Sequence, residues 1–174
     1  MVEMTVESVR INLATQQRVV ILKATQQERY LFIWIAHAEA YAIAVELQGA
    51  TSQRPLTHDL LKNVIGELGA HLESIVISDL IDEIFYARLV LDVAGRHVEI
   101  DSRPSDAIAL AVRTKTPIYI DESVLERAGV TLETSEESPT EKENDVQSMK
   151  EDENLDAYRD FINSLDVLDE FGKD

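Results

Sequence analysis

The chain opens on alternating apolar and polar residues. Met4 and Val6 share one phase and Val9, Ile11 and Leu13 the other, so the pattern predicts a strand that slips by one residue at a bulge. "RVVILKAT" and "RYLFIWIA" are rich in β-branched and aromatic residues, and the polar "TQQE" between them predicts a hairpin turn. The period then changes. "HAEAYAIAVELQG" predicts an alanine-rich helix that ends at Gly49 in the left-handed conformation, with side chains small enough for another element to approach closely. "LTHDLLKNVIGELGA" predicts a second helix, with Thr57 as N-cap, Gly69 as stop, and Leu60, Leu61, Val64, Ile65 and Leu68 as its core-facing stripe. Strands follow at "HLESIVISDLI", "IFYARLVLDV" and, beyond the turn "AGR", at "RHVEID". A buried helix follows "DSRP", then a short strand "TPIYI" and a short helix capped by Asp121. Meandering strands with helices packed on them predict an α+β domain over residues 1–133, with a mixed or antiparallel sheet.

From about Thr134 the composition shifts. Residues 134–153 are polar, acidic and nearly free of core-forming residues, which predicts a disordered acidic linker. In residues 154–174, Leu155, Tyr158, Phe161, Ile162, Leu165 and Leu168 form a helical stripe on an acidic background. That pattern predicts a short amphipathic C-terminal helix, suited to docking on its own domain, a sister subunit or a separate protein partner.

Charge narrows the function classes. The formal net charge is −17, with 12 Lys+Arg against 19 Asp+Glu through Glu133 and 4 against 14 in the last 41 residues. Such a chain does not coat nucleic acid through counterion release, so work on phosphates would need a local basic site, a metal ion, or both. The absence of cysteine excludes disulfides, thiolate metal sites and cysteine nucleophiles. No apolar run approaches the roughly 20 residues that span a bilayer, and the start lacks a basic region followed by an apolar stretch. The expectation is a cytoplasmic protein with no membrane partner. No Gly-rich phosphate loop, G-x-S-x-G elbow or H-E-x-x-H is present, which argues against P-loop hydrolases, α/β-hydrolases and zinc proteases.

Two stretches are built alike. "RPLTHDLL" (Arg54 to Leu61) and "RPSDAIAL" (Arg103 to Leu110) each place Arg-Pro and a hydroxyl residue before an acid and a helix. Proline fixes the approach, the hydroxyl is a candidate cap, and the arginine is left at the positive end of a helix dipole, where it could grip phosphate. Asp59, Asp101 and Asp106 are candidate ligands for Mg²⁺ or Mn²⁺ in phosphodiester cleavage, and His58 is a candidate general base. The plainer reading is that Asp101 and Asp106 cap a helix and pair with Arg103 or Arg54. Glu39 and His37 could line the same face but read first as a solvated helix start. Trp34 and Tyr41 read as core, although an exposed Trp34 could stack on a base; His71 and His97 read as ordinary strand residues.

These blocks, together with "LFIWIAHAEAYAIA", resemble the bifunctional nuclease family over roughly Met4 to Val130. The resemblance implies an α+β fold, a homo-oligomer such as a dimer, and nuclease activity on DNA and RNA. The positions that match its shared motifs are Arg54, His58, Asp59, Asp101, Arg103 and Asp106. One departure is visible: where members often show Ile-His-Ser-Leu, this chain reads "ISDL", with Ser78 and Asp79. The leading expectation is a metal-assisted nuclease with little sequence preference, using His58, Asp59 and Asp106 for catalysis, Arg54 and Arg103 for phosphate, and Asp59, Asp101 and Asp106 for the cation. The alternative is a non-enzymatic regulator that binds a phosphorylated ligand or protein, with the acidic tail as interaction segment. A family member that has lost activity and only stabilises an assembly is a third reading.

Overall fold

The computed structural model describes residues 1–131 and the three residues Leu165–Val167. The strands are β1 (Val2–Asn12), β2 (Arg18–Ala24), β3 (Tyr30–Ile35), β4 (Ala70–Ile81), β5 (Ile84–Val93), β6 (Arg96–Ser102), β7 (Ile118–Ile120) and β8 (Leu165–Val167). The helices are α1 (His37–Leu47), α2 (Thr57–Glu67), α3 (Pro104–Thr114) and α4 (Glu122–Ala128). The sheet runs β3-β2-β1-β7-β4-β5-β6, with β8 paired to β1. Only the β4–β7 pairing is parallel among the pairs of named strands, which makes this a mixed sheet and the chain an α+β protein. The expected slip in β1 falls between Val6 and Ser8, where its register with β2 shifts.

Strand alternation sorts the side chains. Val20, Leu22, Leu31 and Ile33 join the main core, whereas Val19, Ile21, Tyr30 and Phe32 form a smaller cluster on the opposite face of β2 and β3. Helix α3 supplies the centre of the main core: Ala107, Ile108, Ala109 and Leu110 are each fully buried. The alanines of α1 serve close packing, since Ala40, Ala42 and Ala44 are buried and α1 lies against α3. Gly49 and Gly69 end their helices at φ +64° and +72°, conformations that glycine adopts without strain.

Several local expectations are corrected. Thr57 is the first residue of α2 rather than its cap; the cap position is Leu56, whose N–H donates to Asp59 Oδ2 at 2.8 Å. Arg103, not a hydroxyl residue, holds the cap position of α3, with Pro104 inside the first turn. Most of the apolar stripe of α2 faces outward: Leu60, Val64 and Leu68 are 58, 43 and 76% exposed, and Ile65 alone of the five stripe residues packs on the core. Trp34 and Tyr41 are exposed at the surface, not core. The linker 134–153 and most of the segment 154–174 lie outside the described residues. No helix among the described residues is long and apolar enough to cross a membrane.

Candidate functional site

Three helix starts converge beside the sheet, and each carries an acid as its third residue: Glu39 in α1, Asp59 in α2 and Asp106 in α3. That position follows from helix chemistry, because the free N–H groups and dipole of a first turn favour a carboxylate. The two Arg-Pro blocks meet here. His58 Nε2 lies 3.0 Å from Asp106 Oδ1, joining the start of α2 to the start of α3 across 48 residues of sequence. Asp106 Oδ2 accepts from Arg103 Nε at 2.7 Å, and Arg103 Nη2 donates to Glu39 Oε1 at 2.5 Å. His58, Asp106, Arg103 and Glu39 thus form one continuous polar chain. It lines a cleft of about 320 Å³ whose other walls include Ala38, Tyr41, Ala42 and Leu56.

Burial gives this chain its chemistry. The His58 and Glu39 side chains are 9 and 10% exposed, while Arg103 is 64% exposed and faces solvent at the mouth. Burial pushes the Asp106 carboxyl upward, but hydrogen bonds and charge from Arg103 and His58 outweigh it and hold the group below its ordinary 3.8. An ionised Asp106 only accepts, so the nitrogen facing it, His58 Nε2, carries a hydrogen. The proton-accepting nitrogen of the neutral ring is then Nδ1, which is buried and has no hydrogen-bond partner. Glu39 Oε2 is likewise buried and unpartnered. With His58 neutral, two carboxylates against one guanidinium leave the cluster at −1, and three helix dipoles of roughly half a positive charge each oppose that.

Asp59 belongs to a different network. Its Oδ1 accepts from Arg113 Nε at 2.7 Å, and Arg113 also donates to the carbonyls of Ala109 and Ala42, each at 2.8 Å. Arg113 is only 4% exposed, so this guanidinium ties α1, α2 and α3 together from within. Asp101 projects from β6, exposed, and pairs in register with Arg88 of β5. Arg54 is exposed ahead of α2, and neither it nor Asp101 lines the cleft. Ser78 is buried and Asp79 exposed on β4, also away from the cleft.

The structure therefore brings His58, Arg103 and Asp106 together and leaves Asp59, Asp101 and Arg54 outside their hydrogen-bonded chain. The donor set expected for a divalent cation is not assembled. Both oxygens of Asp106 and both of Asp59 have partners, and the described residues hold no group of three His, Asp or Glu arranged for a metal ion. Glu39, expected at a solvated helix start, is instead a buried member of the site. A lone acid inside an alanine run was the available signal.

The family model described as "Bifunctional nuclease domain" matches residues 20–133, most of the described fold. The chain belongs to the bifunctional nuclease domain family. A Mycobacterium tuberculosis protein described as uncharacterized is 39% identical over 165 residues, covering 94% of each chain. "Bifunctional nuclease 2" of Oryza sativa subsp. japonica is 29% identical over 120 residues, which span 67% of this chain and 37% of the rice protein. "Bifunctional nuclease 1" of Arabidopsis thaliana is 32% identical over 71 residues, 39% of this chain and 22% of the plant protein. The match to the rice protein thus spans little more than a third of its length. Within the bifunctional nuclease family, the cleft described above lies wholly inside the matched segment.

Proposed function

We propose that the cleft hydrolyses phosphodiester bonds in DNA or RNA with little sequence preference. The observation that carries this reading is the continuous chain from Glu39 through Arg103 and Asp106 to His58. Asp106 fixes the tautomer and orientation of His58 and stabilises the imidazolium that forms, as a buried carboxylate does for a catalytic histidine elsewhere. Nδ1 is buried, so the start of α2 must shift to admit a water. That water gives its proton to Nδ1 and attacks phosphorus, the P–O bond to the leaving sugar oxygen breaks, and that oxygen takes a proton from solvent. Arg103, charged and open to solvent, holds the phosphate and offsets the charge that develops on it. Glu39 keeps the guanidinium in place. The names of the plant relatives favour the same reaction class. Purified protein should shorten labelled single-stranded DNA, duplex DNA or RNA, tested with Mg²⁺, with Mn²⁺ and with chelator. Loss of cutting in chelator would assign a cation held by one or two carboxylates and the substrate phosphate, and persistence would leave the chemistry to the side chains alone. Equal cutting by an identically prepared His58→Ala protein would refute the reading.

A second reading has its own observation. Arg103 is already paired with two carboxylates, the state expected of a structural or regulatory ion-pair network as well as of an enzyme. In that case the cleft binds a phosphorylated ligand without cleaving it, and the acidic tail contacts a partner.

We also propose that a second copy covers α2. A solvent-facing row of Leu60, Val64 and Leu68 on one helix is the self-complementary kind of patch that two-fold dimers bury. The wild-type protein is expected to run as a dimer in light scattering and a Leu60→Glu/Leu68→Glu protein as a monomer. An unchanged mass in the double variant would place the interface elsewhere.

A further inference from the structure

Resting on the phosphodiester reading, we infer that Tyr41 seats one unpaired nucleobase beside the phosphate held by Arg103, so that the substrate class is single-stranded. Ala38, Tyr41 and Ala42 are spaced to share one face of α1, and all three line the cleft with Leu56. The cleft therefore has two ends. One is polar, built from His58, Asp106, Arg103 and Glu39; the other is a ring, an aliphatic side chain and two methyl groups. Tyr41 is 38% exposed, an unusual placement for an aromatic residue on a helix whose neighbouring alanines are buried. The alanines leave the space that a larger residue at 38 or 42 would fill. At about 320 Å³ the cleft is at the small end of ligand sites, large enough for a single flipped-out or unpaired nucleotide and far too small for a duplex.

Charge favours the same occupant. Affinity for a duplex comes mainly from many cations displacing counterions, and a chain of net charge −17 whose cleft itself sums to −1 cannot supply them. Stacking on an aromatic ring releases no counterions of its own and works for every base, which also fits cleavage with little sequence preference. Affinity from one ring and one guanidinium should thus show a shallow salt dependence.

The test uses the 5′-monophosphate of 2-aminopurine riboside, which has no phosphodiester to be cut and loses fluorescence when its base stacks. Saturable quenching is expected with wild type and with Tyr41→Phe, whereas Tyr41→Ala should bind about 10- to 100-fold more weakly. Raising salt from about 50 to 200 mM should weaken binding by less than about threefold, the effect of a single phosphate contact. Absence of quenching, or equal affinity in a Tyr41→Ala protein that melts like wild type, would overturn the inference, as would a steep salt dependence. The two proposals fail separately. Strand cleavage without quenching sinks the base seat alone, and quenching without cleavage keeps the seat and removes the nuclease.

Discussion

Asp59→Ala is expected to lower the unfolding free energy by about 2–3 kcal/mol, less than the loss of one partner of a fully buried ion pair, because Arg113 is buried but the Asp59 side chain is 33% exposed. The loss comes from what remains. Arg113 would keep its charge at 4% exposure with only the carbonyls of Ala109 and Ala42 to face it, and the Leu56 N–H would lose its acceptor. Replacing both partners, as in Asp59→Leu/Arg113→Met, should recover much of the deficit because no charge is then left buried. Chemical denaturation of the single and double variants measures this directly. The pH dependence has a definite sign. Burial pushes the Asp59 carboxyl up, but the Leu56 N–H, the Arg113 hydrogen bond and the charges of Arg113 and Lys62 together hold it below its ordinary 3.8. A depressed folded-state value means the contribution is complete above the unfolded value and fades as pH falls through the folded one. The gap between wild type and Asp59→Asn should therefore be constant near neutrality and close only below about pH 4. A stable Asp59→Ala protein would show that α1, α2 and α3 do not depend on this network.

His58→Ala should reduce strand cleavage by about 10²- to 10⁴-fold, the range that a positioned general base contributes. Stability should change less than in the Asp59 variant, because the imidazole pairs with an aspartate that keeps Arg103 as a second partner. His58→Gln is the sharper variant: it can still donate to Asp106 but cannot take up a proton at the position of Nδ1. Cleavage lost in both variants, with unchanged melting, separates proton transfer from packing. If His58→Gln cuts at the wild-type rate, the imidazole is structural and the base lies elsewhere.

Much of the fold is legible in the sequence because periodicity is a local property. The bulge in β1, the β2–β3 hairpin, the glycine stops of α1 and α2 and the Asp121 cap of α4 all follow from residues within a few positions of one another. What covers a helix face is not local. Leu60, Val64 and Leu68 announce an apolar stripe, but nothing in their spacing says that the stripe lies outside the chain's own core. The site divides in the same way. The likeness of the two Arg-Pro blocks pointed to Arg103, His58 and Asp106, and their meeting depends on how α2 and α3 cross. Burial of Glu39 and Arg113 is not legible in the sequence, for one shared reason. A first-turn glutamate is ordinarily solvated, and an arginine late in a helix ordinarily lies at its surface; here each is buried by a charged partner far away in sequence.

The central claim is that the cleft of Glu39, His58, Arg103 and Asp106 cuts phosphodiesters, rather than a cation site that includes Asp101. One measurement tests it: the cleavage rate of a labelled single strand by wild type, Asp106→Asn and Asp101→Ala, prepared identically. The cleft account gives a rate near zero for Asp106→Asn and a wild-type rate for Asp101→Ala, whose side chain is exposed on β6. Loss of cutting in Asp101→Ala, with Asp106→Asn still active, would contradict it.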